Sequence, residues 1–104
     1  MGKLCSNQKV GDGMIVSGRG NDITIEITDI KGPRDRRVVD VNITGGSIES
    51  LTLYQMRPFE DVADGVGLGV GRLREREESQ AKMIYNAHED YTLTKFCGER
   101  VKRN

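Results

Sequence analysis

Residues Ile23-Thr24-Ile25-Glu26-Ile27-Thr28 place an isoleucine at every second position, with a polar residue between each. In an extended chain successive side chains leave opposite faces. This spacing therefore sets one apolar face against a core and one polar face in water, a sorting no helix achieves. Val39-Asp40-Val41-Asn42-Ile43 repeats the pattern. The apolar run Met14-Ile15-Val16 precedes both, and Ile48 and Leu51-Thr52-Leu53 follow. Turn formers separate the runs: Ser17-Gly18-Arg19-Gly20-Asn21, then Lys31-Gly32-Pro33-Arg34-Asp35-Arg36-Arg37, then Thr44-Gly45-Gly46-Ser47. Short alternating runs between such turns predict an antiparallel meander through residue 53.

Beyond Arg57-Pro58 the period changes. Gly65, Gly67, Gly69 and Gly71 alternate with Val66, Leu68 and Val70, and residues 72–78 are nearly all charged. A dinucleotide-binding loop needs G-x-G-x-x-G, and no register of these glycines supplies it. A P-loop ends in Gly-Lys-Ser/Thr, whereas Gly71 is followed by Arg72-Leu73. The stretch is thus either a thin strand with a bare side or a pliable connector. Glycine's entropic cost in regular structure favours a hinge. After it, Leu73, Ala81, Ile84, Ala87 and His88 fit one side of a helix from Arg72 to about Asp90, with Glu78 and Lys82 as an i,i+4 pair. Residues 91–96 alternate again and predict a last strand. The division expected is a β domain over 1–57, a Gly-rich connector over 58–71 and a helix-plus-strand extension over 72–104.

With 104 residues the chain has room for one modest core. Lysine plus arginine equals aspartate plus glutamate at 16 each, so any electrostatic partner must be held by a local patch. The basic turn containing Arg34, Arg36 and Arg37 is such a patch, projecting from one end of the sheet where phosphates are met; the alternative is a solvated hairpin tip. Cys5 and Cys97 lack metal-ligand spacing, and no apolar run reaches the roughly 18 residues of a membrane span. These features predict a soluble, reduced, cytoplasmic protein with no metal and no cofactor. His88 stands beside Glu89 and Asp90, but neighbours on a helix diverge by about 100° and converge poorly on one ion. A polar helix end explains them better, and no nucleophile–base set can be assembled. No enzyme activity is expected.

The order Leu4, Lys9-Val10-Gly11-Asp12, Met14-Ile15-Val16, Ile23 through Ile27, Lys31-Gly32 and Val39 through Asn42 resembles the carbon storage regulator (CsrA/RsmA) family of bacterial RNA-binding translational regulators. The resemblance covers about residues 3 to 55. It implies a small five-stranded antiparallel barrel or sandwich, an intertwined homodimer, and an RNA edge that joins the first strand of one subunit to the last strand of the other. Such an edge reads GGA-containing loops in messenger or small RNA. Carried over by position, it comprises Leu4, Ser6, Asn7, Gln8 and Lys9 with Tyr54, Gln55 and Arg57. Gln8 stands where the family has a basic residue, and Gln55 where it has an arginine. The 47 residues from Pro58 onward have no counterpart, and they are expected to pack on the barrel, across the dimer or on a protein partner.

Asp40, Asn42 and Gly45 in Asp40-Val41-Asn42-Ile43-Thr44-Gly45 are similar to the D-x-S-x-x-G signature of PilZ domains, which implies cyclic di-GMP binding. The upstream R-x-x-x-R of that family is missing. A protein-interaction module without RNA binding is the third alternative.

Overall fold

The alternation at residues 23–27 and 39–43 does what its spacing dictates. In the computed structural model, which describes residues 2–18, 20–33, 35–72 and 80–97, Ile23, Ile25, Ile27, Val39, Val41 and Ile43 are all buried while Glu26, Asn42 and Thr44 stay exposed. Among the described residues there are nine strands: β1 (Gly2–Lys9), β2 (Gly13–Gly18), β3 (Asn21–Lys31), β4 (Val38–Thr44), β5 (Ser50–Tyr54), β6 (Glu60–Ala63), β7 (Val66–Gly71), β8 (Gln80–Ala87) and β9 (Thr92–Phe96). They form two antiparallel sheets, one ordered β5-β4-β3-β2-β9 and the other β1-β8-β7-β6. The inward faces of both sheets meet in a single apolar core. Neither sheet closes on itself, so the architecture is an open sandwich and the mainly β expectation holds without barrel closure.

The C-terminal helix is a correction. Gln80–Ala87 is strand β8, and Ala81, Met83, Tyr85 and Ala87 point inward at period two while Lys82, Ile84 and Asn86 point away. Ile84 falls off that phase, and its spacing from Ala81 and Ala87 imitates a helical stripe. Leu73 and the Glu78–Lys82 pairing lie outside the described residues.

The glycine run also differs from a hinge. Val66–Gly71 is strand β7, wholly buried between β6 and β8. Val66, Leu68 and Val70 enter the core, and Gly67 and Gly69 present the bare side over which Phe59 lies. A Cβ on Gly69 would come within 2.8 Å of that ring. Strands from the two ends of the chain share each sheet, because β1 pairs with β8 and β2 with β9. The last strand matches its expected place. Strand β6 carries only Val62 into the core, too weak a pattern to be read in advance.

Candidate functional site

The β3–β4 turn and the end of β5 form one corner of the sandwich. Gly32 opens the turn at φ +89°, where a Cβ would lie 2.5 Å from the Arg36 carbonyl oxygen, so only glycine fits. The Arg36 N–H donates to Pro33 O at 2.9 Å and closes the turn. Arg37 and Gln55 then continue the β4–β5 ladder by one pair: the Gln55 N–H donates to Arg37 O at 3.0 Å, and the Arg37 N–H donates to Gln55 Oε1 at 3.0 Å. Arg37 Nη1 donates to Gly32 O at 2.6 Å, tying the arginine to its own turn. Both side chains are buried, with Arg37 4% and Gln55 9% exposed.

On the solvent side of this pair the Tyr54 ring is 52% exposed, and the Arg57 guanidinium carbon lies 5.9 Å from its centroid, within cation–π range. A tight turn brings Arg57 back, its N–H donating to Tyr54 O at 3.3 Å while Met56 takes the left-handed conformation at φ 63°. Gly32, Pro33, Arg36, Arg37, Val38, Tyr54, Gln55 and Arg57 together line a cavity of about 550 Å³. Among the described residues, no carboxylate is in that lining. Lys31, nearby in sequence, points instead to Asp29 and Asp40 at 3.3 and 3.4 Å.

Gln55 lines the cavity, and the orientation of its side-chain amide is fixed. The Arg37 N–H fixes Oε1 as the acceptor, because a flipped amide would set donor against donor. Nε2 is then left buried without a hydrogen-bond partner. A buried donor in that state costs about 1–3 kcal/mol.

The residues expected from the first strand are distributed differently. Along β1, Leu4, Ser6 and Gln8 turn inward, and Asn7 and Lys9 turn outward. Leu4 packs against the core. Gln8 is only 3% exposed, its Nε2 donating to Gly13 O at 3.0 Å and its Oε1 accepting from the Tyr85 hydroxyl. Burial, and secondarily the charge of Asp12, pushes the Tyr85 phenol well above its ordinary value. Strand β1 meets β9 across the sandwich, whereas β5 meets β7, so β1 and β5 lie on opposite flanks of one chain. Arg36, Arg37, Tyr54, Gln55 and Arg57 are thus brought together. Leu4, Ser6, Asn7, Gln8 and Lys9 are not among them, and Arg34 lies outside the described residues.

Asp40 and Asn42, the residues of the cyclic di-GMP alternative, project from the outer face of β4. The Thr52 hydroxyl donates to Asp40 Oδ1 at 2.7 Å and Lys31 Nζ donates to Oδ2 at 3.4 Å; together they hold this carboxyl below its usual range, the threonine bond contributing most. His88 follows β8 with Nδ1 accepting from the Asp90 N–H at 3.3 Å. Among the described residues no cluster of three or more His, Cys, Asp or Glu could hold a metal ion, and no helix is long and apolar enough to cross a membrane. Cys5 and Cys97 are exposed free thiols. Comparison with protein-family models, curated proteins and solved structures finds no match.

Proposed function

We propose that this chain is a non-catalytic, single-stranded RNA-binding module, acting as a post-transcriptional regulator, whose contact surface is the corner formed by Arg36, Arg37, Tyr54, Gln55 and Arg57. One observation carries the proposal. Arg36 and Arg37 of the basic turn and the residues ending β5 line the same cavity around an exposed tyrosine, and among the described residues that lining contains no acid. Single-stranded RNA offers what such a surface takes: phosphates for guanidinium groups and unstacked bases for an aromatic face. The order of motifs resembling the carbon storage regulators supports GGA-bearing loops as the RNA class. It also supports a homodimer, since only a second copy would bring a β1 edge beside the β5 corner.

Fluorescence anisotropy with a GGA-loop hairpin, a hairpin of scrambled loop and labelled cyclic di-GMP tests the proposal. The GGA hairpin binds best. Arg36→Ser and Arg57→Ser each weaken binding and reduce the slope of log K against log salt by about 0.7. Absence of RNA binding at low salt, or tight cyclic di-GMP binding abolished by Asn42→Ala, would overturn it.

A further inference from the structure

We propose that the outer face of β6, β7 and β8 carries a second ligand site, separate from the RNA corner. It takes a neutral sugar ring between Asp61 and Asn86, with the C–H face of the sugar against Phe59. The backbone register sets up the gap. Asp61 of β6 pairs with Gly67 of β7, and Gly67 pairs with Asn86 of β8. Directly opposed residues share one face of a sheet, so a carboxylate and an amide stand two strand spacings apart, roughly 10 Å, with no side chain between them. Both side chains are exposed. Gly69 and Gly67 on this face are not alike. A Cβ on Gly69 would come within 2.8 Å of the Phe59 ring, whereas one on Gly67 would meet nothing nearer than 3.6 Å. Packing calls for glycine at Gly69 and leaves room for a side chain at Gly67, where its omission keeps the gap open.

The gap belongs to a cavity of about 550 Å³, a size usual for small-molecule sites, whose lining also includes Phe59, His88 and Glu89. Phe59 is seated on the bare side of Gly69 and is still 38% exposed, so its ring offers an apolar surface beside the gap. His88 Nδ1 accepts from the Asp90 N–H at 3.3 Å, which leaves the proton of the neutral imidazole on Nε2. The lining is therefore mixed: carboxylates from Asp61 and Glu89, an amide that both donates and accepts, and an imidazole donor. Among the described residues no lysine or arginine lines it, so an anion meets two carboxylates. A cation suits the carboxylates but leaves the amide and imidazole donors without acceptors. Neighbouring hydroxyls each donate and accept, and a sugar ring adds an apolar face for the phenyl ring. A hydroxyl-rich ring answers every group in the lining.

Titration of the intact chain, followed in ¹H–¹⁵N spectra, tests this with the methyl glycosides of glucose, galactose, mannose and N-acetylglucosamine. Methylguanidinium and inorganic phosphate are the charged controls. At least one glycoside is expected to bind with a dissociation constant of about 1 mM and to shift the Asn86 side-chain amide. Asp61→Ala and Asn86→Ala, both at exposed side chains, each weaken that binding by about tenfold. Phe59→Leu, which keeps an apolar cover on Gly69, weakens it several-fold, and circular dichroism checks that the variants remain folded. Should Phe59→Leu unfold, the two variants at the exposed side chains decide. The sugar site is overturned if no glycoside moves the Asn86 amide at tens of millimolar, or if binding is indifferent to Asp61→Ala and Asn86→Ala. Methylguanidinium or phosphate moving that amide at lower concentration than every glycoside overturns it as well.

Discussion

Tyr85→Phe removes a single oxygen from the middle of the core. Tyr85 is wholly buried, and its hydroxyl is the donor to Gln8 Oε1, whose own Nε2 is spent on Gly13 O. The phenylalanine ring fills the same space, so almost no cavity forms. The loss is instead that of an amide oxygen buried at 3% exposure with no donor. That orphaned acceptor should lower stability by about 1–3 kcal/mol, or the melting temperature by roughly 4–8 °C for each of those kcal/mol. Urea unfolding followed by circular dichroism at pH 7 measures it. Adding Gln8→Leu removes the orphan, so the double variant should lose less than the sum of the two single losses, with a coupling of at least about 0.5 kcal/mol. The same hydroxyl sets an alkaline limit. Its folded value is raised above the ordinary value near 10, so its contribution is complete below about pH 10 and is lost as the pH rises towards the folded value. Tyr85→Phe should flatten that limb. A Tyr85→Phe protein within 0.5 kcal/mol of wild type, with an unchanged alkaline limb, would refute the buried network.

Gly13→Ala should destabilise by about 3 kcal/mol or more, seen in the same unfolding assay, because its Cβ would lie 1.9 Å from the Ile25 backbone oxygen in the paired strand. Thr52→Val should raise the Asp40 carboxyl towards its ordinary value in a carboxyl-carbon NMR titration, since the threonine hydroxyl is the largest cause of its depression. Being depressed, Asp40 supports the fold above its ordinary value and loses that contribution as the pH falls through its folded one, so the variant's acid limb should be shallower.

The N-terminal strands were legible because each isoleucine or valine at period two had only one face to bury. The second half was less so for a definite reason. In β8 the apolar Ile84 lies on the outer face, so the periods of two and of three to four both found matches among Ala81, Ile84 and Ala87. The inward pair Met83 and Tyr85 was the signal that separated them. In β7 the glycines looked like flexibility, and only the position of Phe59 turns their missing side chains into a packing surface. At the site, Arg36, Arg37, Tyr54, Gln55 and Arg57 could each be named from residue type and order. That they share a cavity depends on Arg37 and Gln55 pairing across β4 and β5, a register that side-chain patterning does not carry. The burial of Gln8 follows from the inward phase it shares with Leu4 and Ser6 and from its partner Tyr85, which is far along the chain.

Binding at the Tyr54 corner is tested most directly by locating the RNA. A GGA-loop oligonucleotide carrying 4-thiouridine beside the GGA is irradiated in complex with the protein, and the cross-linked peptides are identified by mass spectrometry. Cross-links should fall on Tyr54 and on the peptides containing Arg36, Arg37 and Arg57, and Tyr54→Ser should abolish the main one. Cross-links confined to the outer face of β4 around Asn42, to the Phe59 and His88 side of the other sheet, or absent at saturating RNA would contradict it.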